Sequence, residues 1–252
     1  MRATRGGSFL GPGFCARLGG VYRERPARVP GGVLWTSVAA VDGDAFIVPD
    51  GCMDLMWFDG ALQVAGPDTV PYPARMRAGA VSAGLRFAPG AASAVLGVPA
   101  HELLGRRVPL EDLWPAAEAR RAAERIADAP QHGAALEALA VELAGRAEPP
   151  DPLIGALVTQ ARAGLPVAEM AEWAGLSERQ LLRRCVPAFG YGPKTLARIL
   201  RAQRALALAR SSRRPGFAEV AATTGYADQA HLSREIRALT GRTLGAAVRP
   251  EH

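Results

Sequence analysis

The chain has 252 residues, 49% of them hydrophobic, with 30 basic side chains against 24 acidic ones. That length and apolar content exclude a disordered or fibrous chain and suit one large domain or two of ordinary size. No run approaches the roughly 20 apolar residues of a membrane helix. The opening stretch MRATRGGSFLGPGFCARLGG is too broken by Gly and Pro for a signal peptide, so a cytoplasmic protein with no membrane partner is expected.

The excess charge is unevenly placed. Residues 153–252 carry 15 basic and 7 acidic side chains, whereas residues 1–152 carry 15 and 17. A basic segment attached to a near-neutral one is the footprint of a chain whose one half meets a polyanion. Almost every basic residue is Arg, Lys194 being the only lysine. The cysteines Cys15, Cys52 and Cys185 are odd in number and far apart, with no CxxC spacing. Buried or incidental thiols are expected, rather than a disulfide framework or a zinc knuckle.

In chain order, the first half predicts short strands between turns. GGVLWTSVAAV is apolar and β-branched, AFIV stops at PDG, and CMDLMWF passes through Asp59-Gly60 into ALQVAG. Asp-Gly between two apolar runs predicts a hairpin, because both positions tolerate positive φ. AVSAGLRF (80–87) predicts another strand, and APGAASAVLGVPAHEL a helix with Pro89 in its first turn. Ala-rich helices are expected near 116–128 and 132–145. The prolines in GRAEPPDP (145–152) cannot continue a helix. The boundaries are therefore a β-rich domain with trailing helices at 1–146, a linker at 147–151 and an all-helical domain at 152–252. Helices are expected at 152–163, 166–174, 177–186, 193–211, 216–224 and 228–239.

Two of these segments repeat. VAEMAEWAGLSERQLLRRCVPAFG (167–190) aligns with FAEVAATTGYADQAHLSREIRALTG (217–241), displaced by 50 and, after one inserted residue, by 51. Each copy predicts a short helix, a glycine turn and a second helix, a helix-turn-helix. Val167, Met170, Ala171 and Ala174 form one buried stripe, repeated as Phe217, Val220, Ala221 and Thr224. Ser177 and Asp228 are placed to cap the second helices, whose inner faces are Leu181 and Cys185, then Leu232, Ile236 and Leu239.

The outer faces carry Arg179, Leu182 and Arg183 in the first unit, and Gln229, Ala230, Ser233 and Arg234 in the second. A major groove accepts a helix; Arg pairs bidentately with guanine, Gln with adenine, and apolar side chains meet a thymine methyl. A solvated helix face carries the same residue types, so each alone is ambiguous; the duplication and the local charge favour the set as base-reading. Arg184, Lys194, Arg237 and Arg242 flank these helices and are candidates for phosphate contacts, which fix register without reading sequence.

The pattern resembles the AraC/XylS family of bacterial transcription regulators over about 152–249. Gly225, Tyr226, Leu232, Ser233, Arg234 and Gly241 stand in register with the signature of the family's second unit. The resemblance implies two helix-turn-helix units joined by a long helix, here PKTLARILRAQRALALARSS (193–212), that spaces the reading helices into successive major grooves. Cys185 stands in place of the family's usual large aromatic, Leu244 in place of a proline, and Pro187 is expected to end the first reading helix early. VPDGCMDLMWF (48–58) and GLRFAPGAASAVLGVPAHEL (84–103) more weakly resemble a sensor domain of such regulators. That implies a β-rich, barrel-like fold followed by helices, with an effector pocket or a dimer surface. Asp54, Trp57 and Arg86 are its pocket candidates, the alternative being Trp57 in the core and Asp54 with Arg86 as a structural ion pair or as surface charges.

The expected fold is thus a two-domain α+β chain, and the expected function sequence-specific DNA-binding transcription regulation. The partners are double-stranded DNA and, as open expectations, a small-molecule effector, RNA polymerase and a second copy of the chain. His101, His132, His231 and His252 are scattered, and no HExxH, GxSxG, P-loop or GxGxxG stands in its required context. No catalytic residue, metal or cofactor is expected. The competing readings are a non-specific architectural DNA binder and, less favoured, an enzyme seated in the N-terminal half.

Overall fold

The structure is a computed structural model that describes residues 20–249; Cys15, His252 and nearly all of the Gly- and Pro-broken opening stretch lie outside the described residues. The N-terminal half contains β1 (Val21–Pro26), β2 (Val33–Val38), β3 (Gly43–Ile47), β4 (Met53–Phe58), β5 (Ala61–Ala65), β6 (Tyr72–Met76), β7 (Val81–Phe87) and β8 (Arg107–Pro109). Six form an antiparallel sheet in the order β1-β2-β7-β4-β5-β8, and β3 pairs with β6 as a separate ribbon. The sheets of this β-rich, barrel-like half stay open. Strands β1 and β8 remain edges, and β8 is only three residues long, ending in a proline that cannot donate to a further strand.

Strand β4 turns into β5 at Asp59 (φ 50°) and Gly60 (φ 75°), the positive-φ pair that the Asp-Gly signal predicts. Along β4 the side chains alternate. Met53, Leu55 and Trp57 enter a core with Leu34, Leu85 and Phe87, while Asp54 and Met56 face the other way into a cavity. Helices α1 (Ala92–Leu96), α2 (Ala116–Ala127) and α3 (His132–Arg146) cover the core face, with Ile126, Leu136 and Ala140 fully buried in it. The helix expected after Pro89 is only the five residues of α1, ended by Gly97 at φ 71°.

Glu137 pins α3 to the start of the sheet. Its carboxylate, 5% exposed, accepts from Arg25 (2.9 Å), from the Arg28 backbone N–H (2.9 Å) and from the Arg28 side chain (3.2 Å). These donors hold it well below the usual carboxylate range, at about 2. A carboxylate with a depressed folded pKa stabilises above its unfolded value and loses that contribution as pH falls through the folded one. Glu137→Gln should therefore cost ~2 kcal/mol at pH 7, with the difference from wild type shrinking between pH 4.5 and 2 in urea unfolding.

Residues 147–151 carry no helix or strand. Beyond them lie α4 (Pro152–Ala163), α5 (Val167–Trp173), α6 (Glu178–Phe189), α7 (Pro193–Ala209), α8 (Phe217–Thr224), α9 (Gln229–Thr240) and α10 (Leu244–Val248). They enclose a second core drawn from residues 154–248, with Leu181, Cys185, Ile199, Leu232 and Ile236 fully buried. Helix α6 does not end before Pro187 but runs through it to Phe189. Proline at that position leaves the Arg183 carbonyl without its helical donor. Arg183 and Pro187 both lie on the exposed face, where water can satisfy it. The short α10, capped by the Thr243 hydroxyl, was not foreseen.

The two halves touch. Gly90, at φ 81°, is packed so closely that a Cβ there would lie 2.3 Å from Ile154. The Ser93 hydroxyl donates to the Pro187 carbonyl (3.0 Å), and the Gln203 side-chain amide on α7 donates to the Pro49 carbonyl (2.6 Å). Cys52 and Cys185 are free and buried, and burial pushes the Cys185 thiol up to about 12, far from a reactive thiolate.

Candidate nucleic-acid interface and cavity

The duplicated units have the same local build. In the first, Gly175 (φ 65°) turns the chain. The Ser177 hydroxyl then accepts from the Gln180 N–H, while Gln180 accepts from the Ser177 N–H, so the two satisfy each other at the start of α6. In the second, Gly225 (φ 78°) turns the chain and Asp228 accepts from the His231 N–H (2.6 Å) at the start of α9. Both turns need a left-handed backbone that glycine adopts without a Cβ clash. His231 packs edge-on against Tyr226, 5.2 Å between ring centres.

On the outer faces, Arg179, Leu182, Arg183, Gln229, Ala230 and Arg234 are exposed, and Ser233 is half-buried. Leu182, 44% exposed, leans on Gly192 so closely that a Cβ there would come within 2.6 Å; part of its apolar surface is already used. Trp173, 53% exposed at the end of α5, was not singled out from the sequence, since it lies off the buried stripe.

The basic residues divide into two sets. Arg198 is paired with Glu235 (2.7 Å) and Arg213 with Glu219 (2.6 Å), while Arg204 and Arg210 donate to the carbonyls of Arg162 and Ala247. Arg201 lies over the Tyr226 ring, 4.5 Å from its centre. Arg184, a sequence candidate for phosphate contact, instead pairs with Asp151, the residue that caps α4. The guanidinium ties α6 to the stretch before α4, and at 55% exposed it stays open to solvent. Arg242 is half-buried and engaged within the protein. By contrast, Arg179, Arg183, Lys194, Arg234 and Arg237 are exposed and have no side-chain hydrogen bond or ion pair to another described residue. Cations left unpaired by their own protein keep their full charge for an external anion.

The N-terminal half holds a cavity of about 470 Å³ between the outer face of the large sheet and the β3–β6 ribbon. Asp54 and Arg86 line it, paired in register across β4 and β7 at 3.2 Å. Trp57 does not: it stands three residues from Asp54 on the same strand, so it points to the opposite face, where it is buried in the core against His132. That pocket assignment is therefore corrected. The sequence missed Trp35, whose indole N–H donates to Asp54 (2.7 Å) and whose ring lies over Gly84, leaving no room for a Cβ. It also missed Asp50, 3.3 Å from Arg86, and the Arg107–Asp68 pair (2.6 Å), 8% and 7% exposed. No local signal marks these, because they come from different strands and loops.

Among the described residues, no helix is long and apolar enough to cross a membrane, and no group of three or more His, Cys, Asp or Glu is placed to hold a metal. Residues 170–249 match the model of a helix-turn-helix domain, and residues 33–109 that of a domain of unknown function (DUF6597). No curated protein matches the chain. Among solved structures, the chain is similar to ToxT from Vibrio cholerae, at 7% identity over 90% of this chain and 97% of that one, TM-score 0.47. It is also similar to unsaturated fatty acid bound wild-type ToxT from Vibrio cholerae strain SCE256, at 8% identity over 90% and 98%, TM-score 0.47.

Proposed function

We propose that this chain, which carries an AraC/XylS-type double helix-turn-helix domain, is a cytoplasmic, non-enzymatic transcription regulator that binds DNA site-specifically and responds to a small molecule in its N-terminal cavity. The observation that carries the DNA reading is the pair of matching outer faces, on α6 and α9, whose Arg179, Arg183, Gln229 and Arg234 are exposed and not consumed by the protein itself. Helix α7, 17 residues long, joins the two units and spans about 25 Å at 1.5 Å per residue; in this reading it sets the separation of the two reading helices. Residues 1–146, 147–151 and 152–252 act as sensor, linker and DNA-binding domain. RNA polymerase and a second copy of the chain are the further partners this role implies.

A purely electrostatic binder has no use for Gln229 and Ser233 beside Arg234. Selection of bound sequences from random duplex DNA separates the two readings. A specific binder should enrich one site and prefer it by ~10³ or more over random duplex at physiological salt. A best sequence within a few-fold of random duplex would sink the site-specific reading and leave the architectural one. Affinity should also fall steeply with salt, since each phosphate neutralised releases counterions.

A further inference from the structure

The cavity already described contains more buried negative charge than positive. Arg107 and Asp68 close on each other through two hydrogen bonds, at 2.6 and 3.1 Å, with the guanidinium 3.8 Å above the Tyr72 ring. That pair is balanced in charge, although the Arg107 Nε–H finds no acceptor. Asp50 and Asp54 are left to share one cation, Arg86, whose Nε lies 3.3 Å from one carboxylate and 3.2 Å from the other. Their remaining hydrogen bonds come from neutral donors, the Cys52 backbone N–H to Asp50 (2.8 Å) and the Trp35 indole to Asp54 (2.7 Å). Neutral donors satisfy lone pairs but supply no countercharge. Burial accordingly raises the Asp50 carboxyl above the usual carboxylate range even with Arg86 beside it.

The walls of the same cavity are aromatic. Tyr22 stacks on Trp35, 6.4 Å between ring centres and 22° between planes, and Phe58 and Tyr72 also line the space. Aromatic faces attract cations, most strongly where water is excluded. An anionic ligand would have to compete for Arg86 against two carboxylates already within 3.3 Å of it.

We propose that the cavity binds a small monocation, a protonated amine or quaternary ammonium on an aromatic or apolar body, with the cation directed to Asp50 and Asp54 and the body between the aromatic walls. The consequence for transcription rests on the regulator reading above; the binding itself does not.

The test uses the full chain and four probes of similar size: phenethylamine and benzyltrimethylammonium as cations, 2-phenylethanol as the neutral isostere and phenylacetate as the anion, each titrated by calorimetry. The cations should bind at least tenfold more tightly than the alcohol, and phenylacetate more weakly still. Asp50→Asn, which preserves the shape of the side chain, should weaken the cations at least tenfold and leave the alcohol unchanged. Equal affinity across the four probes, tighter binding of phenylacetate, or no binding of either cation would overturn the proposal. The four-probe comparison on the wild-type chain stands even where the variant fails to fold. Failure of the duplex selection leaves these titrations unaffected, and loss of cation preference leaves the selected site unaffected, so the two readings fail separately.

Discussion

Arg234→Ala should weaken binding to the selected site by ~1–3 kcal/mol and relax the preference at one base position, while binding to random duplex falls far less. The reason lies in the placement of the side chain. Arg234 is exposed on the outer face of α9, one turn and a half from the Asp228 cap, with Leu232 and Ile236 buried on the other side to hold the helix in place. It has no ion pair to another described residue, so its loss removes an external contact and not an internal one. Arg237, toward the end of the same helix, is also exposed and unpaired among the described residues. Arg237→Ala should weaken all duplexes alike and reduce the salt slope by about one counterion. Quantitative binding of both variants to selected and scrambled sites checks the pair of assignments. Equal losses on the two duplexes for Arg234→Ala would move that residue into the phosphate-contacting set.

Gly84→Ala should destabilise the N-terminal half by ~1–3 kcal/mol, the range in which overpacked cores fall. A Cβ at Gly84 would lie 2.3 Å from the Trp35 ring. The indole must then swing away, and with it goes the hydrogen bond from its N–H to Asp54. Strand β7 stands between β2 and β4, so the backbone cannot retreat without breaking pairing on one side. Urea unfolding followed by Trp fluorescence measures the loss, and the cation titrations should show the cavity impaired. DNA affinity should change little, because the core of residues 154–248 is separate from that of residues 29–140. Unchanged stability would mean that the indole relocates freely and does not hold Asp54.

The helical half was legible because its information is local. The stripe from Val167 to Ala174, the caps at Ser177 and Asp228 and the glycine turns each lie within a few residues of what they act on, and the duplication doubled the signal. The pairing of Arg184 with Asp151 was not legible, because the two lie 33 residues apart. In the β half, hydrophobic runs gave β2, β3, β4, β5 and β7. The strands β1, β6 and β8 were missed, since VYRERP, YPARM and RVP take their order from pairing with neighbours and not from apolar content. The separation of Asp54 from Trp57 was available in principle: three residues along a strand is an odd number, and odd spacings face opposite ways. The sharing of Arg86 between Asp50 and Asp54 was not, because it depends on strand register.

The loop that carries Asp50 into the cavity also presents the Pro49 carbonyl to Gln203 on α7, the helix that joins the two helix-turn-helix units. One short stretch of backbone therefore answers to both ends of the molecule, and such an arrangement works in both directions. If an occupant of the cavity changes the affinity for DNA by some factor, DNA must change the affinity for that occupant by the same factor. A promoter bound by this protein would then set the concentration at which the protein responds, and molecules on DNA would answer to a different threshold from those free in solution.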